Sequence, residues 1–217
     1  MAKSLTQTQK ELNKANAINE IHLAAVEFKN NVVGKKFLYV FDNRYIEVSF
    51  KKGNFKHLTG VDTKLSANDF YKYAVRGTLK KTHIFFSSEH PYALYEKKVK
   101  HIQDISKLAK SQSVMLEDIK TGTTTFKFGT TDLYFTLLME HEYDTAGNAK
   151  SECYIVKSLR DEDCFDKASG YFLVTNVFVK DSNDKKYSNI LYSENNELPS
   201  ELEEKIDDCI KSQFIFK

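Results

Sequence analysis

From Leu5 to Val32, apolar side chains return at three- and four-residue steps through Leu12, Ala15, Ile18, Ile21, Ala25 and Phe28. That recurrence lines one side of a 3.6-residue period. It predicts a helix over residues 4–33, stopped by Gly34. Two strand-like runs, KKFLYVF and RYIEVSF, then flank Asp42-Asn43 and read as a hairpin. After NFKHLTG (Asn54 to Gly60) comes SANDFYKYAVRGTL, a second helix. Ser66 and Asp69 form its capping pair, Phe70, Tyr73 and Ala74 its inner face, and Gly77 its stop. HIFFS is a short extended run. A third helix is expected in SSEHPYALYEKKVKHIQDISKLAK, capped by Ser87 or Ser88, with Pro91 in its first turn. Its inward stripe is Leu94, Val99, Ile102, Ile105 and Leu108.

Beyond Ser113 the period changes. SVMLEDIK, TTFKFG, DLYFTLLMEHEY, SECYIVKSL, GYFLVTNVFVK and YSNILYSE alternate or run apolar between turn signals. The tail LPSELEEKIDDCIKSQFIF reads as an acidic helix with Leu202, Ile206, Cys209 and Ile210 on one side. The whole predicts an α+β fold, with N-terminal helices packed on an antiparallel β-sheet, as one domain over residues 1–217.

Composition narrows the class. The 217 residues are 41% hydrophobic, with 16 Phe and 12 Tyr, enough for a packed core. The N-terminus lacks the apolar centre of a secretory signal, and no apolar run reaches the length of a membrane span. A cytoplasmic protein with no membrane contact is therefore expected. Three cysteines at uneven spacing (Cys153, Cys164, Cys209) suit reduced thiols, and no ligand spacing suggests a metal or other cofactor. The net charge of +2 hides an asymmetry: residues 35–110 carry 16 Lys/Arg against 7 Asp/Glu. Such a segment suits an anionic ligand, or is simply a lysine-rich solvated face.

Of the six histidines, five read as structural or surface residues. His22 lies on the apolar side of the first helix, and His101 on a lysine-rich helix face. His83 and His90 flank a strand and a helix start, and His141 alternates with Glu140 and Glu142. His57 stands apart through its neighbours: Lys56, Thr59 and Gly60 adjoin it, with Arg76 and Lys80-Lys81 as further cations. A histidine suits proton transfer near neutral pH. The same seven residues also read as a turn with a hydrogen-bonded histidine.

The stretch YIEVSFKKGNFKHLTGVDTKLSANDFYKYAVRGTL resembles the phage-associated nuclease-like group of the Barnase–EndoU–Colicin–RelE superfamily, matching at Asn54, Phe55, His57, Leu58, Thr59, Gly60 and Phe70. ECYIVKSLRDED resembles a late strand of the same group through Tyr154, Val156, Lys157, Ser158 and Leu159, with Val156 where proline is expected. The resemblance spans about residues 35–165 and leaves 166–217 as a C-terminal extension.

What the resemblance implies is metal-independent RNA cleavage by attack of the 2′-OH. His57 would serve as base or acid, and Lys157 or Arg76 would stabilise the developing charge. Thr59 and Ser158 would orient the phosphate, beside Lys56, and Tyr154 would stack a base or donate a proton. His57 and Ser158 are expected to converge on one cleft. The alternative is a non-enzymatic phage accessory protein that binds and blocks a host protein; in either case an inhibitor or host protein is a conceivable partner.

Overall fold

In a computed structural model, which describes residues 6–122 and 124–217, the first apolar stripe forms a helix, α1 (Gln7–Asn31). Ser4 and Leu5, expected at its start, lie outside the described residues. The buried side is rotated from the expected one: it is Asn13, Ala17, Ile21, Ala24, Ala25 and Phe28, while Leu12 and Leu23 are 51% and 52% exposed. Alanines at 17, 24 and 25 admit close approach of a neighbouring element. A pattern weighted towards the largest apolar residues misses that seam.

Contacts divide the chain into two compact units. The first takes in α1 and Lys52–Asp104; the second takes in Val32–Lys51 and Ile105–Lys217.

The first unit is helical. It holds α2 (Phe55–Thr59), α3 (Ala67–Arg76) and α4 (Tyr92–Leu108) as far as Asp104. α3 has the predicted ends: the Ser66 hydroxyl accepts the Asp69 backbone N–H at 3.1 Å, and Gly77 closes the helix at φ 66°. Asp62–Thr63 pairs antiparallel with Ile84–Phe85. Phe28 of α1 meets Phe55 at 5.3 Å between ring centroids, and Phe55 meets Tyr71 at 5.5 Å and Phe70 at 6.2 Å. Tyr95 is fully buried, and its hydroxyl donates to Glu20 at 2.6 Å.

The second unit is a barrel. Its strands are β1 (Lys35–Phe41), β2 (Arg44–Ser49), β3 (Val114–Thr121), β4 (Thr124–Thr131), β5 (Thr136–Glu140), β6 (Tyr154–Arg160), β7 (Gly170–Asp181) and β8 (Asn189–Ser193). They follow the order β1-β2-β6-β5-β4-β3-β7-β8, and β1 pairs back onto β7, so seven strands close on themselves. The predicted hairpin is present, with φ of 47° at Asp42 and 53° at Asn43, the left-handed pair that a two-residue turn needs. The expected antiparallel sheet is refined on two points. β2 and β6 run parallel through Val48↔Tyr154 and Ser49↔Ile155, because no hairpin dictates their direction. The twelve-residue β7 pairs with β3 through Gly170–Leu173 and with β1 through Val174–Asp181, which joins the two ends of the sheet.

The acidic tail does not form one helix. It breaks into short pieces: a 3₁₀ turn at Ser200–Leu202, the four-residue α5 (Asp208–Lys211) and a short strand at Ile215–Phe216. The Tyr187 backbone pairs with Lys205 and Asp207, donating to the first and accepting from the second, and Asp207 then caps α5 through the Cys209 N–H. Leu198, Leu202, Ile206 and Ile210 still turn inward, against Leu38, Val40, Phe178 and Tyr187. Apolar spacing of four residues is satisfied here without one continuous helix. Among the described residues no helix is long and apolar enough to cross a membrane.

Phe55 is the centre of the helical unit's aromatic cluster and is 0% exposed. Phe55→Ala is expected to lower unfolding free energy in urea by about 3–5 kcal/mol. A loss under about 1 kcal/mol would show that the cluster does not hold α2.

Candidate functional site

NFKHLTG is a helix of five residues closed by a left-handed glycine, with φ 70° at Gly60. A helix this short has no stability of its own. Phe55, Leu58 and Thr59 face inward at 0% exposure, which leaves Lys56 half-buried and His57 exposed. Thr59 is committed within the turn: its hydroxyl donates to the Lys56 carbonyl at 2.7 Å and accepts the Val61 N–H at 3.4 Å. In this arrangement Thr59 shapes the turn and offers no exposed hydroxyl to a phosphate. The group beside Gly60 is the Lys98 stem: a Cβ on Gly60 would lie 3.0 Å from Lys98 Cδ. Arg76 ends α3 and is exposed.

The same unit positions a second histidine. His90 Nδ1 lies 2.8 Å from Asp62 Oδ1, the Ser87 hydroxyl donates to Asp62 Oδ2 at 2.6 Å, and the His90 backbone N–H donates to Ser87 Oγ at 3.1 Å. Burial alone would push the Asp62 carboxyl up. The hydrogen bonds from Ser87 and His90, with the charges of His90 and Lys56, outweigh it and hold the group below the usual carboxylate range. An ionised Asp62 accepts hydrogen bonds, so Nδ1 carries a proton; whenever the ring is neutral, the lone pair is the one on Nε2. The His90 side chain is 43% exposed. Sequence reading set this histidine aside because its partner lies 28 residues away. The pairing of Asp62 with Phe85 brings them together, and the Ser87-x-x-His90 spacing was the local sign.

Lys157, Ser158 and Tyr154 belong to the barrel. Ser158 pairs with Leu138 and Val156 with Met139, so Lys157 is the extra residue of a bulge in β6. Both Lys157 and Ser158 are half-buried. One side of Tyr154 is taken by His141, at 3.9 Å between centroids, and Phe128 meets it edge-on at 5.0 Å. Burial, then the charges of Glu140, Tyr143 and Glu117, push the Tyr154 hydroxyl up, which makes it a weaker proton donor near neutral pH.

Charge also separates by unit. Residues Met1–Asn31 and Lys52–Asp104 carry 14 Lys/Arg against 8 Asp/Glu, whereas the barrel unit carries 18 against 22. A polyanion is attracted to the first composition.

A sequence model of the family described as phage-Barnase-EndoU-ColicinE5/D-RelE like nuclease4 (PBECR4) matches residues 20–196. The chain belongs to that family. The PBECR4 match covers most of both units and reaches past the expected 35–165 at each end, so β7 and β8 are part of the family's extent. No curated protein and no solved structure matches. Membership in PBECR4, a nuclease-like family, implies a nucleic-acid substrate.

Because the folded pKa of Asp62 is depressed, its contribution to stability is complete above the unfolded carboxylate value of about 3.9 and is lost as pH falls through the folded value. Urea unfolding of wild type and Asp62→Asn across pH should show a wild-type advantage near neutrality that disappears progressively below about pH 4. An advantage undiminished at pH 2 would contradict this assignment.

Proposed function

We propose that the protein is a metal-independent endoribonuclease acting through its helical unit. RNA carries its own nucleophile: the 2′-OH attacks the adjacent phosphorus, the P–O5′ bond breaks, and a 2′,3′-cyclic phosphate and a 5′-OH result. Catalysis then needs proton exchange at the two oxygens and cations near the crowded phosphate. His57 takes or gives a proton, while Lys56 and Arg76 supply charge. The observation that carries this reading is an exposed histidine on a turn fixed by buried neighbours, in the more basic unit of a chain from a nuclease-like family.

The test is incubation with total RNA in excess EDTA. Wild type is expected to cleave, with products ending in cyclic phosphate, and His57→Ala to slow cleavage by about 10²–10⁴-fold. RNA left whole at micromolar protein would overturn the reading in favour of a protein that binds rather than cuts.

A further inference from the structure

The helical unit contains a cavity of about 380 Å³ whose lining the reaction above does not use. Lys10, Lys14, Phe86, Ser87, Pro91 and Tyr92 line it. Its aromatic wall is braced: Phe86 meets Tyr92 edge-on at 5.1 Å, and both pack on Tyr95, at 5.7 and 5.5 Å. Tyr95 is itself pinned to α1 through Glu20 and the Ala17 carbonyl. Glu11 also lines the cavity, and its carboxylate lies 3.8 Å from Lys14 Nζ and 3.9 Å from Lys81 Nζ. One acidic group therefore stands among more numerous cations.

Two wall residues, Ser87 and Pro91, bracket His90 in the chain, and Ser87 is the residue that bonds both Asp62 and the His90 backbone. The cavity rim and the Asp62–His90 pair are thus one construction. An aromatic wall suits a base, lysines suit its phosphate, and an oriented imidazole nitrogen suits a proton. We propose that this cavity binds one nucleotide of an RNA chain and that His90, positioned by Asp62 and Ser87, is the general base that removes the 2′-OH proton.

The proposal rests on the ribonuclease reading and completes it. As the 2′-oxygen bonds to phosphorus its proton passes to His90 Nε2. The departing 5′-oxygen takes a proton from the His57 imidazolium, and a later proton exchange with water restores both rings. Asp62 and Ser87 are positioning residues, since neither is asked to meet the substrate.

His90→Asn separates the roles, because the asparagine amide can keep donating to Asp62 from the place of Nδ1 while Nε2 is deleted. With an RNA pentamer in EDTA, this variant should cut kcat by about 10²–10⁴-fold, and its Kd for the uncleavable 2′-deoxy pentamer should stay within about twofold. Tyr92→Leu and the double variant Lys10→Ala/Lys14→Ala should instead weaken 2′-deoxy pentamer binding, Tyr92→Leu by at least about fivefold, the low end of one lost stacking contact. Asp62→Asn should lower kcat with Kd unchanged and should remove the single imidazole tautomer seen by ¹⁵N NMR of His90. If wild type and His90→Asn cleave alike, or Tyr92→Leu binds as well as wild type, the proposal fails and the ribonuclease reading survives. If wild type does not cleave, both fail together.

Discussion

The burial of Phe55 and Leu58 is the constraint on which the candidate site depends. Five residues cannot hold a helix in water, so α2 exists because Leu58 is buried and Phe55 is enclosed by rings from α1 and α3. Fixing one face of so short a turn fixes the other. With Phe55, Leu58 and Thr59 turned in, Lys56 and His57 have a defined outward direction. The left-handed Gly60 then ends the turn against the Lys98 stem and sends the chain to Asp62. A satisfied turn and a presented histidine are therefore the same structural event, and the two readings of NFKHLTG do not compete.

Downstream of that turn the chain assembles a hydrogen-bonded group from two separate segments. Asp62 follows Gly60 by two positions, and the strand pairing sets Ser87 and His90 against it. Lys56 contributes to keeping Asp62 ionised, which links the His57 turn electrostatically to the His90 pair. In the proposed cleavage, one oxygen loses a proton as another gains one, so two proton-transfer groups serve the reaction better than one. The helical unit is also the more basic of the two.

Features set by neighbouring residues were legible in the sequence. The Ser66–Asp69 cap, the Asp42-Asn43 hairpin and the Gly77 stop all stand where the pattern put them. Features set by distant partners were not. The parallel β2–β6 contact and the return of β1 to β7 depend on pairings more than a hundred residues apart, and alternation along a strand carries no information on which strand lies beside it. The tail's helical spacing was overruled by backbone bonds to Tyr187. Of the candidate site, the turn that carries His57 was readable from its own neighbours. The Asp62–His90 pair was not, since its two residues come from segments 28 positions apart. Thr59 looked like a ligand because its burial could not be seen from the sequence, and Tyr154 looked like a free stacking surface because the His141 ring against it could not be seen either.

The most direct measurement is histidine-selective NMR of the wild-type protein titrated with an uncleavable 2′-deoxy oligonucleotide in EDTA. The account predicts that the His57 and His90 ring resonances move together and saturably, while those of His22, held to the Ala74 carbonyl, and His141, packed on Tyr154, stay in place. Movement of His141 with His57 and His90 unmoved would put nucleic acid on the barrel and contradict it.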